Sequence, residues 1–380
     1  MWADLTGASC LGNTFTDTGK YDSVEAPDYM TSGQPCPNYS RSGDHSGEDG
    51  ETGWMFVRQT EIILKVKPKV FRLEISDYAT QVHGGREVNK VHAALSTMYH
   101  IHTDILAVRK YGDPTNRARL FMVGTRRDLT AANELQDIKF KFPEPTFSDA
   151  DTPTIRHLAV PDESVPEGYW RHGSTTRTGN SAVQGKLHII ARSGNGMGRS
   201  NNPNSVPSWD TIGNSQTTYN GGAKRPRLDW IDTGDNSVGP QRLGVPIEAI
   251  RMASLHDSYQ DWALKHYAAT TPIIRRDGRN ITADEFIFLC VNNGIPCRLS
   301  TAVDTNAVTF LQQVKRRQAE VAHQTFCHIK ACTIQHLQAR LSQSGTATVA
   351  ALAVIEVKSK WDANTANAQH CKASLHASDP

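Results

Sequence analysis

Residues 32–40 read Ser-Gly-Gln-Pro-Cys-Pro-Asn-Tyr-Ser and place one cysteine, Cys36, between two prolines and behind a glycine. Gly33 allows backbone angles that other residues resist, whereas each proline fixes its own φ angle and restricts the residue before it. The stretch follows the apolar-leaning residues 27–31, so it predicts a short strand that ends in a stiff loop. The thiol on such a loop is either aimed at a site or buried as an ordinary core cysteine.

Composition limits the classes of protein to which the chain can belong. Its 380 residues allow one or two domains with a sizeable core. The net charge of +2 argues against a general polyanion-binding coat but permits a local basic surface. Seven widely spaced cysteines indicate free thiols in a reducing compartment rather than a disulfide framework.

The sequence predicts neither a membrane span nor a secretory signal. It contains no run of about 18 apolar residues, which is the length that a transmembrane helix needs. The first five residues lack the basic stretch followed by an apolar one that begins a signal peptide. We therefore expect an intracellular protein without a membrane partner, in the nucleus of a eukaryotic source or the cytoplasm of a prokaryotic one.

Periodicity predicts alternating strands and helices between residues 54 and 124. Apolar residues recur at helical spacing over 54–66 and 87–98. Apolar strand-like runs occupy residues 70–75, 105–108 and 120–124. This alternation predicts a mostly parallel sheet with helices on its faces.

Two chemistry-bearing residues fall at predicted carboxyl ends of strands. Cys36 follows the first predicted strand, and Glu74 lies near the end of the next. Ligands of such sheets collect at the carboxyl ends of strands. Taken alone, however, Glu74 is more typical of an ordinary surface acid.

The chain changes character after the fourth predicted strand. Proline, glycine, serine, asparagine and threonine dominate residues 130–240, which predicts a loop-rich region of short strands. Helical periodicity returns at 246–252, and Pro296 begins a predicted helix over 296–317. We therefore predict four segments: an N-terminally truncated catalytic domain at 1–129, a target-recognition domain at 130–240, a return to the catalytic domain at 241–317, and a C-terminal helix with a flexible tail at 318–380.

Five sequence motifs, taken in order, resemble those of the DNA cytosine-5 methyltransferases over residues 25–129 and 241–317. Residues 32–40 resemble the Pro-Cys loop of that family, residues 68–74 its Glu-Asn-Val strand, and residues 111–124 its Gln-x-Arg-x-Arg motif. Arg242, Glu248 and Arg251 resemble its scaffold motif, and residues 291–296 its final Gly-Asn-x-Val-Pro element. Each match is weak alone, but their common order makes the resemblance specific.

The resemblance implies a fold and an activity. The fold would be α/β, an incomplete doubly wound (Rossmann-like) methyltransferase sheet with an inserted loop-rich, mostly β target-recognition domain. The activity would be transfer of a methyl group from S-adenosylmethionine to C5 of cytosine in double-stranded DNA, with the base flipped out of the helix. Some relatives methylate tRNA, which keeps RNA as an alternative substrate, although the long region 130–240 favours DNA.

The same resemblance implies roles for four catalytic residues. Cys36 would add as a thiolate to C6 of the cytosine, and Glu74 would protonate or hydrogen-bond N3 and hold the exocyclic amine. One of Arg117 and Arg119 would reach the cytosine carbonyl, and the other a phosphate or a structural carboxylate. Outside this pattern, both arginines are compatible with ordinary surface charges.

The cofactor site departs from the family pattern. The resemblance implies contacts to S-adenosylmethionine from Asp4, Pro35, Asn293 and Gly294, yet the chain contains no Phe-x-Gly-x-Gly loop. The alternative is therefore a catalytically inactive DNA-binding remnant, or one half of a split methyltransferase that a complementing N-terminal fragment completes.

Two smaller departures fall inside the catalytic motifs. Ile75 and Ser76 follow Glu74 where the family has Asn-Val, and Thr115 stands where it has Gln. The asparagine orders the catalytic loop in relatives, so we expect its loss to loosen the site. The shorter Thr115 removes a longer hydrogen-bonding side chain.

Two further sets of residues have open interpretations. A predicted C-terminal helix carries imidazoles and thiols at spacings near four, which is compatible with zinc but also typical of a partly buried helix: His323, Cys327, His328, Cys332 and His336. We expect no metal there. Four arginines in the recognition region are candidates for reading base edges by residue type alone: Arg192, Arg199, Arg225 and Arg227.

Overall fold

The fold is taken from a computed structural model of the chain. It describes residues 25–41, 43–115, 117–148, 150–171, 175–177, 189–193, 205–207, 241–242, 244–269, 278, 280–293 and 297–344. The chain divides into two compact units, residues 1–312 and 313–380. Among the described residues, no helix has the length and apolarity needed to cross a bilayer.

Four strands form the sheet at the centre of the first unit. They are β1 (Tyr29–Gly33), β2 (Val70–Ser76), β3 (Tyr99–Ala107) and β4 (Ala118–Arg126), in the spatial order β1-β2-β4-β3. β1 pairs with β2 in parallel, whereas β4 runs antiparallel to both β2 and β3. The described part of the chain is thus α/β with a partial mixed sheet, which confirms the predicted fold class.

The prediction of a mostly parallel sheet is wrong for β4. A parallel connection needs a crossover of a dozen or more residues, usually a helix. Only residues 108–117 join β3 to β4, and they hold a short 3₁₀ helix at Val108–Tyr111. The chain therefore turns back, and β4 enters the sheet in the opposite direction.

Two helices cover one face of the sheet. α1 (Trp54–Val66) follows the cysteine loop and α2 (Arg86–Leu95) follows β2. The core between helices and sheet is apolar because alternate residues of each strand point to the same face. It contains Phe56 and Ile63 from α1, Val88, Val91 and Leu95 from α2, and Phe71, Leu73, Ile75, Leu120 and Met122 from the sheet.

The remaining helices follow the loop-rich region. They are α3 (Pro246–Met252), α4 (Tyr259–Ala269), α5 (Ala283–Asn293) and α6 (Cys297–Ser344). α6 begins close to the predicted start at Pro296 but is much longer than the predicted helix. The described strands of the loop-rich region are β5 (Trp170–Arg171), β6 (Thr175–Arg177), β7 (Ile189–Ser193), β8 (Ser205–Pro207) and β9 (Gln241–Arg242), in the sheets β5-β9 and β6-β7-β8.

The first turns of α6 cover the opposite face of the sheet. Arg72 of β2 is only 5% exposed, and its Nε lies 2.7 Å from Oδ1 of Asp304. The Tyr29 hydroxyl of β1 donates to the same carboxylate oxygen at 2.5 Å. A charged helix residue therefore links two neighbouring strands, and this face of the sheet buries charged residues beside the apolar Phe121 and Val123.

The apolar face depends on a close approach at one glycine. Gly124 of β4 lies opposite Phe71 of β2, and a methyl group at this glycine would overlap the edge of the Phe71 ring. Replacing it by alanine forces the buried ring or the strand to move. We expect Gly124→Ala to lower the free energy of unfolding by about 1–3 kcal/mol, measured by urea denaturation.

The matched control is Gly168→Ala, because a methyl group at Gly168 meets open space. We expect the control to remain within about 0.5 kcal/mol of the parent chain. Equal stability of the two variants would contradict the packing described for β2 and β4.

Candidate active site

The parallel pair of β1 and β2 brings the cysteine loop to a carboxylate. Gly33, the last residue of β1, lies opposite Glu74 in the register. The backbone N–H of Gln34 then donates to the Glu74 carbonyl at 3.2 Å. Cys36 precedes a short 3₁₀ helix at Pro37–Tyr39, and its Sγ donates to the Gln34 carbonyl at 3.2 Å. The thiol is therefore held beside the carboxyl end of β2.

Glu74 forms a buried ion pair with a residue of β4. The side chain of Glu74 is 3% exposed and that of Arg119 is 13% exposed, with Arg119 Nε 2.8 Å from Glu74 Oε1. The antiparallel register sets Arg119 opposite Ser76, on the same face of the sheet as Glu74. Neither of these two atoms forms a directed hydrogen bond, so the contact is one of charge.

Charges from both arginines act on the thiol. Burial raises the pKa of the Cys36 thiol. The positive charges of Arg119 and Arg117 lower this pKa, and the Glu74 carboxylate raises it. Arg117 is itself 9% exposed, and burial together with the neighbouring Arg119 charge lowers its pKa. The structure thus brings together all four residues that the sequence predicts as catalytic.

The same region contains buried polar atoms without a hydrogen-bond partner among the described residues. They include Gln34 Oε1 and Thr115 Oγ1, whereas Glu74 Oε1 and Arg119 Nε have each other as ion-pair partners. An unsatisfied buried polar group costs about 1–3 kcal/mol, so native proteins rarely keep several in one place without a reason. Their chemistry, acceptors beside a cation, fits a polar planar ligand.

Sequence reasoning gave no role to Asp113, although it lies within a motif that was singled out. The residue is fully buried, and the Ser254 hydroxyl donates to its Oδ1. Burial raises the pKa of Asp113 to about 7, against the opposing charges of Arg298 and Arg117. The adjacent Gly112 carbonyl accepts a hydrogen bond from Arg298 Nη1 at 3.0 Å. Asp113 therefore joins the turn before β4 to α6 and to the segment after α3.

The scaffold residues hold the chain that leaves the loop-rich region. Glu248 of α3 is fully buried, and its Oε1 and Oε2 accept from the backbone N–H groups of Val160 and Val245. Arg251 donates to the Leu158 carbonyl at 3.1 Å. The side chain of Arg242 lies outside the described residues.

The predicted cofactor residues are only partly covered by the structure. Pro35 is exposed on the loop between β1 and Cys36. Asn293 is the last residue of α5, but its side chain lies outside the described residues, as do Gly294 and Asp4. The candidate base-edge arginines also have no described side chains.

The histidines and cysteines between residues 323 and 336 of α6 are exposed in the structure. Cys327 Sγ lies 3.5 Å from His323 Nε2, and Cys332 Sγ lies 3.6 Å from His328 Nε2. Within the described part of the chain, no group of three or more His, Cys, Asp or Glu residues has the geometry of a metal site.

Comparisons with known proteins cover most of the chain. The family model for C-5 cytosine-specific DNA methylase matches residues 12–298. The type II methyltransferase M.HhaI of Haemophilus parahaemolyticus is 25% identical over 282 residues, covering 70% of this chain and 76% of the relative. The type II methyltransferase M.BbvI of Brevibacillus brevis is 28% identical over 178 residues, covering 46% and 44%.

Solved structures give weaker matches. The S. pombe Dnmt2 methyltransferase is 11% identical with a TM-score of 0.42, covering 75% of this chain and 77% of that one. A putative DNA modification methyltransferase encoded within a prophage in E. coli is 13% identical with a TM-score of 0.42, covering 75% and 79%.

The buried Asp113 predicts a dependence of stability on pH. Its pKa is about 7 in the folded chain against an ordinary value of 3.8, so the folded state binds the proton more tightly. The carboxyl contributes a loss of stability as pH rises from about 4 to about 7. We expect Asp113→Asn to become more stable relative to the parent chain by about 2–3 kcal/mol between pH 5 and pH 8.

Urea denaturation of both proteins at the two pH values measures this difference. The exposed Asp137 supplies the control variant Asp137→Asn, for which the difference from the parent chain should not change with pH. A constant difference for Asp113→Asn would show that the carboxyl is ionised in the folded protein.

Proposed function

This chain belongs to the C-5 cytosine-specific DNA methylase family, and from that premise we propose that it methylates C5 of cytosine in DNA through a covalent adduct between Cys36 and C6. One observation carries the proposal: a thiol, a buried carboxylate and two guanidinium groups converge at the carboxyl ends of β1 and β2. These are the groups that addition to a cytosine ring requires.

The first step uses Cys36. Cytosine C5 is a poor nucleophile, and addition of a thiolate at C6 makes C5 enamine-like. The thiolate is the reactive form of cysteine, so ionisation must be favoured at the moment of attack. The charges of Arg119 and Arg117 act in that direction, against the effects of burial and of Glu74.

The second step uses Glu74 and Arg119. Addition at C6 pushes electron density onto N3, where Glu74 in its protonated form would donate a proton while its other oxygen accepts from the exocyclic amine. After methylation at C5, loss of the C5 proton to water and expulsion of the Cys36 thiolate from C6 would restore the ring and free the enzyme. Arg119 fixes the carboxylate through the 2.8 Å contact. We assign Arg119 to the cytosine carbonyl as well, because it contacts the Glu74 carboxylate that would hold the same base. Arg117 would then contact a phosphate or a structural carboxylate.

The methyl donor that we propose is S-adenosylmethionine, which supplies an electrophilic methyl group on a sulfonium centre. The described residues supply one of its four expected contacts, the exposed Pro35, beside the open edge of the described sheet at β1. Asp4 and Gly294 and the side chain of Asn293 would complete the set. One described contact does not define a pocket for the cofactor.

The substrate that we propose is double-stranded DNA. A base must leave the stack to reach a site this deeply buried, at a cost of a few kcal/mol. Gln34 Oε1 and Thr115 Oγ1, which lack hydrogen-bond partners among the described residues, are the groups that a flipped base would satisfy. Residues 130–240 would grip the duplex as a target-recognition domain inserted into the catalytic domain.

Methyl transfer from labelled S-adenosylmethionine to mixed-sequence DNA tests the proposal directly. We expect label in DNA from the parent chain, and only background label from Cys36→Ala, because alanine has no nucleophile that can add to C6. Cys327→Ala, which removes an exposed thiol of α6, is the matched control and should keep full activity.

Salt-sensitive DNA binding without label would contradict the proposal. It would identify the chain as an inactive DNA-binding remnant or as one half of a split enzyme. Adding a complementing N-terminal methyltransferase fragment would then separate these two, since only the half-enzyme would gain activity.

Glu74 gives a second test. We expect Glu74→Gln, which keeps the size of the side chain and removes its charge, to lower the single-turnover rate by about 10²–10⁴-fold because N3 loses its proton source. DNA affinity should change little. Glu163→Gln, at an exposed acid, is the control. An unchanged rate in a folded Glu74→Gln variant would remove Glu74 from the mechanism.

A further inference from the structure

The loop that follows the thiol is folded around one buried side chain. Asn38 lies two residues after Cys36 and is 2% exposed. Its Nδ2 donates to Asp44 Oδ1 at 3.1 Å and to Ser46 Oγ at 2.8 Å. Its Oδ1 accepts from the Thr52 N–H at 3.2 Å and from the Thr52 hydroxyl at 2.9 Å.

These contacts use the whole hydrogen-bonding capacity of an asparagine amide. The amide has two N–H donors and two acceptor positions, and each has a partner. Aspartate would keep the acceptors but lose both donors, and it would face the Asp44 carboxylate. Leucine would match the size and lose every contact. With a carboxylate at residue 44, the site therefore favours an amide at residue 38.

The partners of Asn38 lie on both sides of the loop. Asp44 and Ser46 belong to its outgoing part, whereas Thr52 immediately precedes the Gly53 cap of α1. A methyl group at Gly50 would overlap the Asn38 amide, so the chain passes directly against it. The side chain thus fixes the loop against the start of α1.

The contact with Asp44 is continued by a second side chain. Ser46 Oγ accepts from Asn38 and donates to Asp44 Oδ1 at 2.7 Å, and the Ser46 N–H donates to the same oxygen at 3.1 Å. Ser46 therefore bridges the amide and the carboxylate. Because of this network, the hydrogen bond between residues 38 and 44 needs a donor at one residue and an acceptor at the other.

We propose that Asn38 is the positioning residue for Cys36: it folds the loop at residues 40–53 and thereby holds the thiol against Glu74 and Arg119. Tyr39 connects the thiol to the end of this loop, since its N–H donates to the Cys36 carbonyl at 2.9 Å and its hydroxyl donates to the Gly53 carbonyl at 3.0 Å. This role rests on the proposed function of Cys36 as the nucleophile.

The test exchanges the two partners. Asn38→Asp sets two carboxylates against each other and should open the loop. Asp44→Asn leaves an amide oxygen to accept from Asn38 and should be nearly neutral. In the double variant, the new amide at residue 44 can donate to the new carboxylate at residue 38, so the contact is restored with its direction reversed. We expect the double variant to recover only if the contact between residues 38 and 44 is the cause of the loss in Asn38→Asp.

Kinetics distinguish positioning from general damage. We expect Asn38→Asp to lower kcat for methyl transfer by at least about tenfold, a change of about 1.4 kcal/mol in the barrier, with KM for DNA within about threefold. The double variant should return to within about threefold of the parent kcat. Full activity of Asn38→Asp, or a double variant no better than Asn38→Asp, would overturn the proposal.

Two further measurements do not depend on methyl transfer. Hydrogen exchange of the backbone amides in residues 43–53 should be faster in Asn38→Asp, while α1 and α2 stay protected. Alkylation of Cys36 by iodoacetamide should also be faster in this variant. Both should return towards the parent values in the double variant. If the parent chain fails to methylate DNA, these patterns still test the positioning of the thiol. Unchanged exchange and alkylation in Asn38→Asp would overturn it.

Discussion

The central constraint on this structure is that one face of its sheet is both charged and buried. Arg72 and Glu74 are neighbours on that face of β2, exposed by 5% and 3%. Withdrawal of a charge from water costs several kcal/mol per ion, and only a close opposite charge offsets it. Arg119 of β4 forms an ion pair with Glu74, and Asp304 of α6 forms one with Arg72. Removing any one of these four leaves an uncompensated charge in the interior.

The direction of β4 determines where Arg119 lies relative to Glu74. Because β4 runs antiparallel beside β2, Arg119 stands opposite Ser76 and can reach back to Glu74 on the same face. On the other face, Ile75 packs into the apolar core with Phe71. The position at which the family carries an asparagine is thus a core position in this chain, and the polar contacts that order the cysteine loop come from Asn38 instead.

Local patterns made the strands and the thiol loop predictable from the sequence. Apolar alternation located β2 and β4, and the prolines around Cys36 marked the end of β1. The start of β3 was missed because His100 and His102 interrupt its apolar pattern on an edge strand. The predicted roles of Cys36, Glu74, Arg117 and Arg119 came from a family resemblance, and the structure shows only that these residues converge.

Contacts distant in sequence were not predictable. Asp304 lies 275 residues along the chain from Tyr29, to which it is hydrogen-bonded, and no periodicity links the two. The burial of Asp113 depends on Ser254, which follows α3. Asn38 reads locally as a turn residue, and its role appears only when Thr52 and Asp44 fold back onto it. A single sequence carries no signal for such tertiary partners.

The charged groups of the site have opposing effects on the Cys36 thiol, and the position of Arg119 offsets the unfavourable ones. The Glu74 carboxylate that would serve N3 also raises the pKa of the Cys36 thiol, and burial acts in the same direction. When a thiolate adds to a cytosine ring, its negative charge moves from sulfur towards N3. The negative charge that Glu74 repels would therefore shift from the sulfur to N3 during the addition. Arg119 contacts Glu74 and also lowers the pKa of Cys36, so its charge is placed to stabilise both ends of that movement. Because the groups are buried, exclusion of water by an entering base would strengthen this effect.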